Sequence, residues 1–133
     1  MPSKKPIYKK EYEKVDNVDE SVWFSNDSPI MESDFTYVFD DRYPCVEGHR
    51  LFIPKENNSH FVGRSLGMAY DYGNEKIKKG EIDGFNVGMN IGLCAGQTIM
   101  WPHIHFIPRH KNDSKKIGGM RHAHPSGDHG KYY

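Results

Sequence analysis

One alternating run, residues 97–109, constrains the fold of this chain more than any other segment. In a β-strand, successive side chains point to opposite faces of the sheet. The even positions of the run are mostly apolar; they are Thr98, Met100, Pro102, Ile104 and Phe106. The odd positions carry Trp101, His103 and His105. We therefore predict a strand that anchors one face in a core and presents two imidazoles side by side on the other.

Two neighbouring imidazoles suit two kinds of chemistry. Imidazole can exchange protons, or attack phosphorus, near neutral pH. The rings of His103 and His105 could instead ligate one metal ion, with His49 or His110 as a further ligand. The histidine pair alone leaves both interpretations open.

A loop of small residues, 92–96, precedes the histidine run. Small residues allow backbone N–H groups to approach an anion closely. Gln97 and Thr98 add side-chain donors after the loop, and Asn90 stands before it. Most loops of this kind are simple hairpin turns, but a phosphate bound here would face both histidines.

The rest of the chain predicts a mixed fold. Residues 33–40, 49–53 and 85–91 alternate in the manner of strands, and residues 59–80 form the one good helix candidate. Ser59 can cap this helix, and its apolar stripe comprises Val62, Leu66, Ala69, Tyr70 and Ile77. The order strand, strand, helix, strand, strand is typical of an α+β protein with an antiparallel sheet and one principal helix.

Length and composition set the class of protein. The 133 residues indicate one domain, which we place at residues 21–110, between a flexible lead-in at 1–20 and a polar tail at 111–133. A formal charge of zero gives no reason to expect nucleic-acid or membrane partners. Two cysteines are too few for a disulfide framework, and the absence of a CxxC motif argues against a thiolate zinc site. With no leader segment or membrane-length apolar run, we expect a cytoplasmic protein.

The motif around the histidines resembles the signature of the histidine triad nucleotide hydrolases and transferases. That signature is His-φ-His-φ-His-φ-φ, where φ is an apolar residue, usually after Gly-Gln-Ser/Thr; here residues 96–98 are Gly-Gln-Thr. The likeness extends to residues 33–55, to Asn90 and to the Gly-Gly-Met-Arg segment at 118–121. It covers residues 22–122 in all.

The resemblance implies a fold and a chemistry. The fold would be about five antiparallel strands with one principal helix, and the sheet would extend across a homodimer. His103 would attack the α-phosphorus of a nucleotide substrate and form a nucleotidyl-imidazole that water hydrolyses. His105 would contact the phosphate oxygens and the leaving group. The implied nucleotide-binding residues are Phe39, Asp41, His49, Asn90, Gly96, Gln97 and Thr98.

The implied activity is hydrolysis or transfer of adenylate from dinucleoside polyphosphates or nucleoside phosphoramidates. It requires no metal and no other cofactor. Two alternatives remain: a catalytically weak nucleotide-binding module of the same fold, and a metal-dependent protein that uses His49, His103 and His105. Arg109 and Arg121 could touch substrate phosphates. The tail histidines His122, His124 and His129 are expected to have no role.

Two positions depart from the family pattern. Trp101, followed by Pro102, replaces the first histidine of the triad, and residues 22–25 replace a Cys-x-x-Cys zinc motif. An indole has one N–H donor and no acceptor, so Trp101 can brace by packing or donate to a carbonyl but cannot shuttle a proton. By analogy with metal-site outer shells, the loss of an orienting histidine costs about 10- to 100-fold in activity.

Overall fold

The computed structural model describes residues 14–113 and 118–127. Within them, five antiparallel strands form one sheet in the order β1-β2-β3-β5-β4. The strands are Met31–Glu32 (β1), Thr36–Asp40 (β2), Arg50–Pro54 (β3), Gly84–Gly88 (β4) and Ile104–Arg109 (β5). A short helix α1, Val22–Asn26, precedes the sheet, and the long helix α2 spans Ser59–Lys78. The predicted fold class is confirmed, although the two-residue strand β1 was not expected.

The histidine strand lies inside the sheet, between β3 and β4. The pairing of β3 with β5 sets Leu51 opposite His105 and Phe52 opposite Ile104. On β5 the even positions Ile104 and Phe106 are buried, at 0% and 1% exposure. The alternation predicted for residues 104–109 is therefore observed.

The strand is shorter than the alternating run that predicted it. It begins at Ile104, so residues 97–103 approach the sheet as irregular chain. Pro102 has no backbone N–H and cannot contribute a donor to a strand ladder. Trp101 and His103 are consequently placed by their own contacts rather than by strand pairing.

Helix α2 packs on one face of the sheet through small residues. Its N-cap is Asn58, whose side chain accepts a hydrogen bond from the Phe61 backbone N–H, and not the predicted Ser59. The fully buried positions are Ser65, Ala69 and Gly73. At Gly73 a Cβ atom would lie 2.4 Å from the Phe85 ring, so the helix can approach β4 only with glycine at this position.

The predicted apolar stripe of α2 is wrong for its large members. Leu66, Tyr70 and Ile77 are 37%, 64% and 38% exposed and lie on the outer face of the helix. Small side chains occupy the line of closest approach between helix and sheet, and the larger Met68 and Tyr72 pack against the core cluster beside it. An exposed apolar stripe remains on the outside of the molecule.

The other face of the sheet is covered by the N-terminal residues. Val18 and Trp23 are buried there at 6% and 3% exposure, in one cluster with Phe39, Leu51 and Trp101. The predicted domain boundary at residue 21 therefore falls inside a packed layer. Residues 1–13 lie outside the described part of the chain.

Part of the predicted tail also packs on the domain. The Arg109 guanidinium donates from Nη1 to the Gly118 carbonyl at 3.1 Å, and the Met120 side chain lies over Gly88. Gly118 and Met120, which we assigned to the tail, therefore contact the sheet. His129 and residues 114–117 lie outside the described ranges. In the part of the chain that is described, we find no helix with the length and apolarity needed to cross a membrane.

Candidate active site

A cleft of about 530 Å³ opens where the irregular approach to β5 meets helix α1. The residues lining it are Val22, Trp23, Asn26, Asp41, Arg42, Tyr43, Leu51, Asn90, Gly96, Thr98, Ile99, His103 and His105. The structure thus brings together six of the nine predicted site residues: Asp41, Asn90, Gly96, Thr98, His103 and His105. The remaining three, Phe39, His49 and Gln97, do not line this cleft.

A hydrogen bond and a ring contact help to hold the imidazole of His103 at the cleft wall. Its Nδ1 lies 2.8 Å from the Trp101 carbonyl oxygen, and its ring packs 5.0 Å from the Trp23 ring in an edge arrangement. A carbonyl oxygen can only accept, so Nδ1 carries the proton and, in the neutral ring, Nε2 carries the lone pair. His103 is only 5% exposed, so our expectation of an exposed ring on the strand surface is wrong.

Trp101, which stands in place of the first triad histidine, tethers the backbone through its indole N–H. Its indole N–H donates to the Pro54 carbonyl at the end of β3, with a nitrogen–oxygen distance of 2.9 Å. The side chain is 3% exposed and packs in the core. Both roles that an indole can play, packing and donation to a carbonyl, are present. The tether fixes the backbone whose carbonyl group accepts the His103 proton.

His49 and His105 form a second hydrogen-bonded pair. The Cys45 backbone N–H donates to His49 Nδ1 at 3.0 Å, so in the neutral ring the proton of His49 is on Nε2. That Nε2 lies 2.9 Å from His105 Nδ1, which therefore accepts. The proton of a neutral His105 is then on Nε2. His103 and His105 accordingly carry their protons on different ring nitrogens.

Burial favours the neutral form of His49. Its ring is 4% exposed, and desolvation lowers its pKa below the usual value, partly opposed by the nearby charge of Asp41. The Asp41 Oδ2 atom lies 3.3 Å from His49 Nε2 and 3.8 Å from His105 Nδ1. Its Oδ1 accepts from the Tyr43 backbone N–H at 2.8 Å. Asp41 therefore lines the cleft, and its carboxylate also lies close to both histidines of the pair.

Asp41, His49 and His105 place three possible ligand atoms within 4.8 Å of one another. A metal on His49 Nε2 would require that nitrogen to lose its proton while Nδ1 still accepts from Cys45. Metal-bound imidazoles instead donate from their second nitrogen. The trio therefore fits a hydrogen-bonded chain better than a metal centre. The ligand atoms of the alternative set, His49, His103 and His105, do not all lie within 4.8 Å of one another, and His110 is exposed beyond the end of β5.

Comparison with known proteins shows the family of this chain. The family model described as the HIT domain matches residues 25–112. The chain belongs to the HIT domain family. It is similar to the adenosine 5′-monophosphoramidase of Saccharomyces cerevisiae, with 32% identity over 93 residues that cover 68% of this chain and 59% of that protein. It is also similar to the adenylylsulfatase of Arabidopsis thaliana, with 33% identity over 91 residues, 63% of this chain and 46% of that one.

A solved structure shares the fold. The crystal structure of a HIT family protein from Bacillus anthracis superposes with a TM-score of 0.54 at 28% identity, covering 62% of this chain and 64% of that chain. The HIT domain described here thus spans less than two thirds of each of these three proteins.

The small-residue loop of this HIT domain is braced by Gln97. Its Oε1 accepts from the Gly92 backbone N–H at 2.8 Å, and its Nε2 donates to the Ile99 carbonyl at 3.0 Å. Both ends of the amide bond to backbone groups, those of Gly92 and Ile99, and the role of Gln97 as a phosphate donor stays a prediction. Gly96, at φ +94°, and Thr98 do line the cleft.

Two other residues predicted to contact the nucleotide, Phe39 and Arg109, are not among the residues that line the cleft. Phe39 is 1% exposed and lies in the core beside Leu51, which lines the cleft in its place. The Arg109 guanidinium is bound by the Asp113 carboxylate at 2.9 and 3.0 Å and by the Asn86 side-chain oxygen at 2.9 Å. Arg109 is therefore a structural residue, and Arg121 is not among the residues that line the cleft.

Sequence reasoning missed the contribution of helix α1. Trp23 contacts His103, and Val22 and Asn26 line the same cleft. An apolar pair, Trp23 and Phe24, inside a polar segment was the one available signal that this segment is buried. Nothing in its spacing indicates that it folds back onto the histidines.

Proposed function

We propose that this HIT domain is a nucleotide hydrolase or nucleotidyl transferase that acts through a covalent nucleotidyl-histidine on His103. The observation that supports it best is the opposite placement of the protons on the two cleft histidines. Nε2 of His103 has the lone pair needed to attack phosphorus, and Nε2 of His105 has a proton to donate in a hydrogen bond. Covalent catalysis of this kind divides one displacement into two easier steps.

In the first step, the His103 Nε2 lone pair bonds to the α-phosphorus while the bond from phosphorus to the leaving group breaks. The new imidazolium keeps its Nδ1 proton on the Trp101 carbonyl. The His105 N–H donates to the leaving atom as negative charge develops there. After it departs, the leaving group takes a proton from solvent. In the second step, water attacks phosphorus, the bond from phosphorus to His103 Nε2 breaks and returns its electron pair to the ring, and the proton of the attacking water is released to solvent. Overall, one water supplies hydroxyl to phosphorus and hydrogen to the leaving group.

The substrates we propose are adenylates with a nitrogen or oxygen leaving group, as phosphoramidates or dinucleoside polyphosphates. The names of two relatives, a monophosphoramidase and an adenylylsulfatase, support an adenylate. The apolar side chains of Val22, Leu51 and Ile99 line the cleft and suit a purine ring.

The first test is turnover. We expect purified protein to release AMP from adenosine 5′-phosphoramidate or from a diadenosine polyphosphate, and His103→Ala to lower kcat by at least about 10³-fold. His60→Ala, which removes an exposed imidazole on α2, is the matched control and should keep wild-type activity. Wild-type protein without turnover, or equal rates for wild type and His103→Ala, contradicts the proposal.

A second candidate function, a catalytically weak nucleotide-binding module, is favoured by Trp101 in place of the first triad histidine. Titration calorimetry with AMP, run beside the turnover assay, separates the two functions. Binding of AMP without turnover of any adenylate supports the module, and turnover that depends on His103 excludes it.

We also propose that the protein forms a homodimer. Strand β4 stands at the edge of the sheet, and the exposed side chains of Leu66, Tyr70 and Ile77 form an apolar stripe on α2. Unpaired strand edges and apolar patches are features that a second copy can cover. Sedimentation should give about twice the chain mass of 15.4 kDa, and Tyr70→Glu should weaken the dimer. A monomer at all concentrations contradicts the proposal.

A further inference from the structure

We infer that a groove on the far side of His105 is a subsite for an uncharged apolar or aromatic leaving group. The groove has a volume of about 580 Å³ and lies between the β4–β5 surface and residues 118–122. The inference rests on the proposed function and deepens it, because it selects among adenylate substrates by the chemistry of the group that departs.

The position of the groove follows from the geometry of displacement. His105 and Asn90 line both the cleft and the groove, whereas His103 lines the cleft. In phosphoryl transfer the attacking and leaving atoms lie roughly in line on opposite sides of phosphorus. A nucleotide whose phosphorus faces His103 would therefore direct its leaving group past His105 and into the groove.

Part of the groove wall is apolar. Met89, Ile107 and Met120 contribute to the lining. The Met120 side chain packs on β4 at Gly88, where its methyl carbon lies 3.4 Å from the position that a Cβ atom would occupy. Methionine sulfur makes favourable contacts with aromatic rings, and methionine adapts to ligands of different shape. These walls suit an aromatic or aliphatic group.

The charges in the groove disfavour a polyphosphate. Among the described residues that line it there is no carboxylate, and the one Arg or Lys is Arg109. Four guanidinium contacts of Arg109 go to Asp113, Asn86 and the Gly118 carbonyl. A chain of phosphates is ordinarily recognised by Arg or Lys donors directed at it. The other polar side chains of the groove are three imidazoles, two amides and a thiol, contributed by His49, His105, His122, Asn86, Asn90 and Cys45.

Two phosphoramidates test the subsite. One is adenosine 5′-phosphoramidate, whose leaving group is ammonia, and the other is the adenosine 5′-phosphoramidate of phenethylamine. We expect kcat/KM to be at least about tenfold higher for the phenethylamine compound, because an apolar group gains that much in a matching pocket. Met120→Glu should abolish the preference while it leaves turnover of the unsubstituted compound near the wild-type rate. Ile30→Glu, at an exposed apolar position away from the groove, is the matched control.

A binding measurement keeps failure of the subsite separate from failure of the proposed function. If wild type turns over neither compound, the proposed function fails, and affinities of His103→Ala for AMP and for the phenethylamine compound then test the subsite alone. An approximately tenfold gain from the phenethyl group that Met120→Glu removes supports the subsite. Equal kcat/KM values for the two phosphoramidates in wild type, equal affinities in His103→Ala, or a preference that survives in Met120→Glu, overturn it.

Discussion

His103 and Trp101 are joined by a hydrogen bond of 2.8 Å from the imidazole Nδ1 to the main-chain carbonyl two residues earlier. The bond decides which nitrogen of the imidazole carries the lone pair, since a carbonyl cannot donate. The indole of Trp101 holds the same backbone in place through the Pro54 carbonyl. A residue that cannot titrate thus positions the imidazole that we propose as the nucleophile.

The substitution Trp101→Phe should separate the contribution of the indole hydrogen bond from the contribution of indole packing. The phenyl ring fills much of the same space but leaves the Pro54 carbonyl without its donor. We expect a loss of about 1–3 kcal/mol in the free energy of unfolding, measured with urea. Activity should fall about 10- to 100-fold, mainly in kcat.

The ¹⁵N chemical shifts of the His103 ring test this positioning role directly. Wild type should show the tautomer protonated at Nδ1, and Trp101→Phe should show a mixture of both tautomers. Trp23→Phe keeps the Trp101 tether and should preserve the wild-type tautomer. An unchanged His103 tautomer in Trp101→Phe would show that the indole has only a packing role.

The buried His49 should make stability depend on pH. Its folded-state pKa is lowered by desolvation, so the unfolded chain binds more protons between that pKa and the ordinary value of 6.5. Stability should therefore fall as the pH decreases through this interval. His49→Gln cannot titrate but retains a donor toward His105, so its stability should fall less over the same interval. Parallel urea titrations of the two proteins check this, and identical pH dependence would refute it.

A pair of glycine substitutions tests how α2 packs on the sheet. Gly73→Ala places a methyl group against the Phe85 ring and should cost about 1–3 kcal/mol in stability. Gly67 is on the open side, with no atom within 4 Å of an added Cβ, so Gly67→Ala should stabilise by about 0.5–1 kcal/mol. Thermal unfolding of both variants should give shifts of opposite sign. Shifts of the same sign would contradict the packing described for α2.

The sequence was most informative where apolar and polar residues alternate along a strand with one buried face. The alternation around Ile104 and Phe106 predicts both the burial of these residues and the face of β5. The loop before it and the histidine pair predict the cleft, because close neighbours in sequence must remain close in space. These local features suffice for the fold class and for most of the candidate site.

Contacts between distant segments could not be predicted in this way. The distance between helix and sheet determines which residues of α2 face the core. It favours Gly73 over Leu66, so an apolar stripe predicted from hydrophobicity alone is wrong there. The position of Trp23 against His103 joins residues 80 apart in the sequence. The alternating pattern of β2 places Phe39 on the face of the sheet that carries the cleft. Val18 and Trp23 cover that face, so Phe39 is buried.

The most direct measurement is to trap the covalent intermediate. Protein mixed with adenosine 5′-phosphoramidate at low temperature is quenched within one turnover, digested and analysed by mass spectrometry. We predict an adenylyl group on the peptide that contains His103, stable to base, lost in mild acid, and absent from His103→Ala. An adenylyl group on another residue, or turnover by wild type with no adduct at His103 under conditions in which formation outpaces hydrolysis, would contradict the account.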